Sequence, residues 1–259
     1  MVEWDQYNPS GVEAIMIRSI LVAAAVLAAV PAGGQPSGLA GAVLAGDVAV
    51  VRSLIASGAD VAERGDMGTP LHVAAFMGNA EIARLLLDAG AEIEASTDLL
   101  GSTPLHVAAS YDRPAVAALL LDRGANIEAM ELSNRTPLVL AAQLGHEQVI
   151  RLLVDHGANI LAADGKLCTA LDFAIVRGSR SLAEYLLDHG AKLESIYVAG
   201  STPLLEAAKY GQTLLAELLL ARGADLKARN QYGQTALELA EANGQEETAD
   251  LLRRRGGRE

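Results

Sequence analysis

Thr69-Pro70-Leu71-His72-Val73-Ala74-Ala75 returns unchanged as Thr103-Pro104-Leu105-His106-Val107-Ala108-Ala109, 34 residues further on. The threonine then recurs at Thr136, Thr169, Thr202 and Thr235, at steps of 33. A second ladder runs in phase with it: Gly58-Ala59, Gly90-Ala91, Gly124-Ala125, Gly157-Ala158, Gly190-Ala191 and Gly223-Ala224. Two ladders locked together over six units mark an internal repeat, and a period of about 33 residues means a stack of short supersecondary units.

Within each unit the residue types predict two helices. Threonine accepts hydrogen bonds from the free N–H groups of a first turn, and proline suits the first helical position. Small and apolar residues follow, as in Val73-Ala74-Ala75, and the first helix stops at a glycine such as Gly78, Gly145, Gly178, Gly211 or Gly244. A second helix carries leucine runs, Leu85-Leu86-Leu87 and Leu119-Leu120-Leu121. It ends at the glycine of the Gly-Ala pair, which takes up the left-handed closing conformation. Alanine lets the two helices approach closely. No unit buries its leucine face alone, so neighbours must stack.

On these residues the chain resembles the ankyrin repeat family, whose signature T-P-L-H-x-A and period match Thr69–Ala75 and Thr103–Ala109. The resemblance covers residues 36–259, a degenerate first unit and six fuller ones. It implies an all-α solenoid of about seven helix-turn-helix units with projecting β-turns. It also implies a concave partner-binding face built from inner helices and hairpin tips, with His72 and His106 hydrogen-bonding neighbouring turns. Val139, Asp172, Leu205 and Glu238 replace the signature histidine, and Ala170 and Ala236 replace the proline. The first hairpin is one residue short and the second, around Thr97 to Gly101, one long. Asp112-Arg113-Pro114 stands where a helix-breaking glycine belongs; aspartate tolerates the left-handed region and proline starts the next helix. Leu251-Leu252-Arg253-Arg254-Arg255 reads as the charged outer face of a capping repeat.

The 259 residues are 51% hydrophobic but only 3% aromatic. About a fifth are alanine, which fits closely packed helices that each bury little. There are 32 acidic and 20 basic side chains, for a net charge of −12. That balance lacks the basic footprint of a nucleic-acid binder, and a lone cysteine excludes a disulfide framework. The expected partner is another protein, with neither a nucleic acid nor a small-molecule substrate.

Residues Ile20 to Val30 are an unbroken apolar run outside the repeats. A membrane span needs about 20 apolar residues, so the run is too short to cross. It fits the centre of a secretory signal peptide, with Arg18 before it and Val30-Pro31-Ala32 as a small-residue cleavage site. Glu3, Asp5 and Glu13 make an unsuitable acidic leader, which Met16 as the true start would remove. Residues 1–32 are therefore expected to be a signal peptide or N-terminal extension. The Gly/Ala-rich composition suggests a bacterial protein that is periplasmic or secreted. The alternatives are an uncleaved tether, touching a membrane only through this segment, and a cytoplasmic adaptor. A mature chain starting near Gly33 would mark export, and an intact Met1 or Met16 would mark retention.

Catalytic patterns fail one by one. His146-Glu147 lacks the second histidine of a zinc protease, because Ile150 holds that place. His156 and His189, just before Gly-Ala pairs, read as polar tips at helix C-termini. Asn134-Arg135-Thr136 matches a glycosylation sequon, but Thr136 belongs to the capping ladder. Gly165-Lys166 lacks the rest of a phosphate loop. Cys168 would need a histidine and an orienting group to act as a nucleophile, and an enzyme built on it is the rival reading. The chain is read as non-catalytic, with no cofactor and no metal.

The informative positions precede the turn that closes each first helix. Met77, Tyr111, Leu144, Arg177 and Tyr210 recur at the repeat period, with Phe76 beside the first. The hairpins add Tyr197 and Tyr232, together with Met67, Leu99, Leu100, Leu132, Arg135, Lys166, Val198 and Gln234. Aromatics, methionine and arginine are enriched at interfaces. Phe76, Met77, Tyr111, Leu144, Arg177, Tyr197, Tyr210 and Tyr232 are therefore the candidate partner-binding residues, the bland alternative being that they only cover helix ends. Phe173 and Tyr185 fall where neighbouring units carry Val or Leu and are assigned to packing. The unit from Tyr197 to Arg229 is slightly positive in an acidic chain, so charge could orient a partner.

Overall fold

A computed structural model describes residues 38–194 and 200–256. Residues 1–32, Tyr197 and Val198 lie outside the described residues. Fourteen helices are described, and they come in pairs. The pairs are α1 (Leu39–Ala45) with α2 (Val48–Ala56), α3 (Pro70–Met77) with α4 (Ala80–Asp88), and α5 (Pro104–Ser110) with α6 (Pro114–Asp122). Next come α7 (Pro137–Leu144) with α8 (Glu147–Asp155) and α9 (Ala170–Val176) with α10 (Arg180–Asp188). The last are α11 (Pro203–Lys209) with α12 (Thr213–Ala221) and α13 (Ala236–Ala242) with α14 (Glu246–Arg254). They fall into two compact units: the first holds α1–α4, most of α5, and α6; the second holds residues 109–114 and everything from Asn126 onward.

Within the first unit, α1 packs on α3 and α2 on α4. In the second, the first helices α7, α9, α11 and α13 form one layer, while α10, α12 and α14 form another. The threonine ladder starts the first layer: Thr136 Oγ1 accepts from the Val139 N–H at 3.4 Å and Thr235 Oγ1 from the Glu238 N–H at 3.3 Å. Second helices begin on short polar side chains, Asp47 accepting from the Val50 N–H and Asn79 from the Ile82 N–H, each at 3.0 Å. Asp112 does adopt the left-handed conformation, with φ 53°. The glycine stop is looser than its spacing implied. Gly78 and Gly145 are C-caps, but Arg177, Tyr210 and Asn243 cap α9, α11 and α13 one residue before the glycine.

Two ladders of side-chain size make the core. Leu86, Leu120, Leu153, Leu186, Leu219 and Leu252 occupy equivalent places on the second helices, all fully buried. Ala74, Ala108, Ala141, Ala174, Ala207 and Ala240 do the same on the first helices. Small side chains there permit the close approach that stacking in layers demands. Among the described residues no helix is long and apolar enough to cross a membrane.

Candidate functional site

Hairpins project between successive pairs, and their closing bonds reproduce the length irregularities seen in the sequence. Gly65 and Gly68 exchange N–H···O bonds, whereas Thr97 N–H reaches Ser102 O. The regular spacing joins Glu131 to Arg135, Asp164 to Cys168 and Asn230 to Gln234. Asp164 and Asn230 stabilise their turns alike: each side-chain oxygen accepts from backbone N–H groups two and four residues on.

Hairpin tips hold the three most exposed large apolar side chains among the described residues, and Tyr232 on a further tip is matched only by Met130 and by Leu214 on α12. In the first unit Leu99 is 71% exposed; in the second, Leu132 is 74%, Leu167 63% and Tyr232 59% exposed. The helix-end residues sit lower. Met77 is exposed and Phe76 half-buried in the first unit; in the second, Tyr111, Leu144 and Tyr210 are half-buried and Arg177 exposed. Side chains reaching back from one pair to the one before bring the second-unit residues into a row. His146 Nε2 contacts Ser110 O at 3.0 Å, and Arg177 Nη2 donates to Gln143 O. Gln212 lies over Gly178 and Gln245 over Gly211. Lys209 Nζ stands 5.1 Å from the Tyr210 ring centroid, a cation–π distance. Burial, then the Glu206 charge, pushes the Tyr210 hydroxyl above its ordinary pKa, so this ring remains a neutral phenol.

Two of the hairpin and packing expectations need correction. Arg135 is not on the exposed face: it is buried, its Nε donating to Glu131 Oε1 at 2.5 Å and its Nη1 to Gln143 Oε1 at 2.9 Å. Tyr185 is not packed in the core as Phe173 is. It is half-buried with its hydroxyl donating to Asp155 Oδ1 at 2.5 Å and Arg151 stacked over its ring at 4.3 Å. Arg177, though exposed, has its guanidinium against Gly145, so part of its role is to close the preceding helix end.

The catalytic candidates have structural occupations. Cys168 is buried and its thiol is pushed up to about 12, first by burial and then by Asp164 and Asp172, so it is no thiolate at neutral pH. His156 and His189 contact carbonyls four residues back, Leu152 O and Tyr185 O, each at 2.8 Å. Asp172 and Glu238 do the work of the missing histidine: each carboxylate accepts from the N–H and hydroxyl of its capping threonine. Among the described residues no three His, Cys, Asp or Glu side chains are grouped to hold a metal ion.

His72 shows why that position favours imidazole. Its Nδ1 accepts from the Thr69 N–H at 3.1 Å, which leaves the proton on Nε2 to donate to Ser102 O at 3.0 Å. Burial, the largest cause, holds its pKa below the ordinary 6.5. The folded form thus stays neutral at pH values where the unfolded chain takes up a proton, and stability falls as pH drops below 6.5 toward the folded pKa. His72→Asn is expected to be less stable than wild type at neutral pH by about 1–3 kcal/mol. It should lose less on acidification, read from thermal melts between about pH 7.5 and 5.5. Parallel losses would exclude His72 as a source of the acid sensitivity.

The sequence matches the family described as ankyrin repeats (3 copies), over residues 39–131, 129–197 and 194–258. The chain belongs to the ankyrin repeat family. Its helix pairs match those of the crystal structure of the ankyrin repeat domain of Bcl-3, a member of the IkappaB protein family. The TM-score is 0.74 at 30% identity, covering 85% of this chain and 99% of that one. Two curated relatives, protein phosphatase 1 regulatory subunit 27 of Homo sapiens and of Mus musculus, are 45% identical over 68 residues. That stretch is 25% of this chain, and it spans only 44% of the length of each relative. Ankyrin repeats are typically protein-binding modules and usually non-catalytic.

Proposed function

We propose that this ankyrin chain is a non-catalytic protein-interaction scaffold that presents hairpin tips and inner-helix ends as a preformed surface. The observation that carries the reading is the set of large apolar side chains on three hairpins of the second unit, Leu132, Leu167 and Tyr232, held out by turns whose backbone groups are internally bonded. Below them the helix-end residues Tyr111, Leu144 and Tyr210 are already half-packed. A rigid surface of this kind loses little ordering entropy on association. Scattered apolar residues are common on surfaces; what favours an interface is that three hairpin tips of one unit each carry one, at different places in the turn.

The test is affinity capture with the full chain against the Leu132→Ser/Leu167→Ser/Tyr232→Ser variant. Because these side chains are exposed, the melting temperature should hardly change, while recovery of a specific partner should fall about tenfold or more. Equal recovery by both proteins would overturn the reading. By likeness to the two curated relatives, protein phosphatase 1 is the first purified partner to assay.

A further inference from the structure

We infer that the hairpins and inner-helix ends of the second unit take an acidic linear peptide, one whose Asp and Glu residues flank a large apolar side chain. The inference rests on the scaffold reading and narrows it to a partner chemistry. The chain carries a net charge of −12, yet this surface exposes cations. Lys166 and Arg229 project from hairpins, and Arg177 and the partly exposed Lys209 stand at the ends of α9 and α11.

The acids of the same region are turned to internal use. Asp164, Asp172, Glu131 and Glu206 are all buried. The first two accept from backbone N–H groups, Glu131 from Arg135 and Glu206 from the Ser201 hydroxyl. On α13, Glu238 is engaged by the Thr235 cap and faces Arg229 at 3.6 Å, and Glu241 is held by Arg253. Much of the exposed negative charge sits instead on the second helices, at Asp155, Glu184, Asp188 and Glu217 among others. On the surface that carries the apolar tips the exposed cations Lys166, Arg177 and Arg229 therefore outnumber the exposed acids Glu238 and Glu241, while the second helices mix acids with Arg151, Arg180 and Arg222.

Apolar and cationic elements alternate there: Leu167 follows Lys166 on one hairpin, and Tyr232 follows Arg229 by three residues on another. A peptide with only apolar residues would gain nothing from the exposed cations, and a basic one would be repelled by them. A nucleic acid would meet the cations but have no side chain for Leu167 and Tyr232, and the acidic remainder of the chain opposes it.

Fluorescence anisotropy on the full chain tests this with three labelled peptides of about twelve residues that share two leucines and a phenylalanine. Their other positions are Glu/Asp, Ser/Gln or Lys, and a labelled oligothymidylate is the fourth probe. The acidic peptide should bind about tenfold or more tighter than the uncharged one at low salt, and progressively lose that advantage between about 50 and 300 mM salt. The Lys166→Gln/Arg229→Gln variant, at two exposed hairpin residues, should cut acidic-peptide affinity by about fivefold or more while leaving the melt nearly unchanged. Equal or tighter binding of the uncharged peptide, the Lys peptide or the oligothymidylate would overturn the inference, as would salt-insensitive binding. The wild-type comparisons stand whether or not the variant folds. If the uncharged peptide binds best and the apolar-tip variant abolishes it, the acidic partner is excluded but the scaffold survives. Partner recovery that ignores the apolar tips removes the scaffold reading itself.

Discussion

Arg135→Ala is expected to destabilise the second unit by about 3–5 kcal/mol, the largest single-residue effect argued from this structure. The guanidinium is buried between Glu131 Oε1 and Gln143 Oε1, and the Glu131 side chain is almost wholly inaccessible. Removing the arginine leaves that carboxylate buried without its cation, and also leaves a void under the hairpin. Yet the pair itself need not add net stability, because desolvating both ions offsets much of their attraction. The double variant Arg135→Met/Glu131→Met should therefore recover most of the loss, since it fills similar volume and buries no charge. Gln143 is half-buried and its amide can turn to water. Urea unfolding followed by circular dichroism measures all three proteins. A single variant within about 1 kcal/mol of wild type would mean that water reaches Glu131 and the burial is not maintained in solution.

The same arginine shows where reading by pattern stops. In the second pair, Gly68 lies against the His72 ring: a Cβ on Gly68 would come within 2.9 Å of His72 Nδ1. One step further on, Ser102 again precedes the capping threonine of a unit that keeps its histidine. At Arg135 both members change together, a long residue before Thr136 and the short Val139 after it. The pattern does not show that Arg135 turns inward; only the packed structure reveals its bonds to Glu131 in its own hairpin and to Gln143 on α7. The capping ladder needed no such knowledge, since Thr, Pro and Gly act through backbone groups of their own turn. Helix number, hairpin lengths and the left-handed Asp112 were legible for that reason. Depth was not legible. Periodicity places Tyr111, Leu144 and Tyr210 in one register but is silent on how far each sinks, so pattern reading puts the more exposed Leu132 only among the hairpin residues and misses Leu167. The structural part of Arg177's role was likewise illegible, because its contact, Gln143 O, lies 34 residues away in sequence.

The alanine excess has two competing explanations, and Leu186 with Ala174 separates them. Alanine is the best helix former, so the first-helix ladder could serve local helix stability alone. Alternatively it keeps the layer of α7, α9, α11 and α13 close enough to stack. Leucine ranks just below alanine in propensity, so on the first account Ala174→Leu costs only a few tenths of a kcal/mol. On the second, extra methylenes enter a site with no accessible surface, and the cost is about 1–3 kcal/mol. The stacked, fully buried alanines favour the second account. Leu186→Ala supplies the opposite error of size. It empties a fully buried position on α10, the helix that packs on both α9 and α12, for an expected loss of about 2–5 kcal/mol, whereas Leu186→Met should cost under about 1.5 kcal/mol. Hydrogen exchange adds what a melt cannot, because contacts in a solenoid run only between neighbours. Protection should fall first in α9–α12, with α7 and α8 affected less. A uniform loss across the second unit would show that its repeats unfold as one block, and a neutral Ala174→Leu would return the alanine ladder to helix propensity.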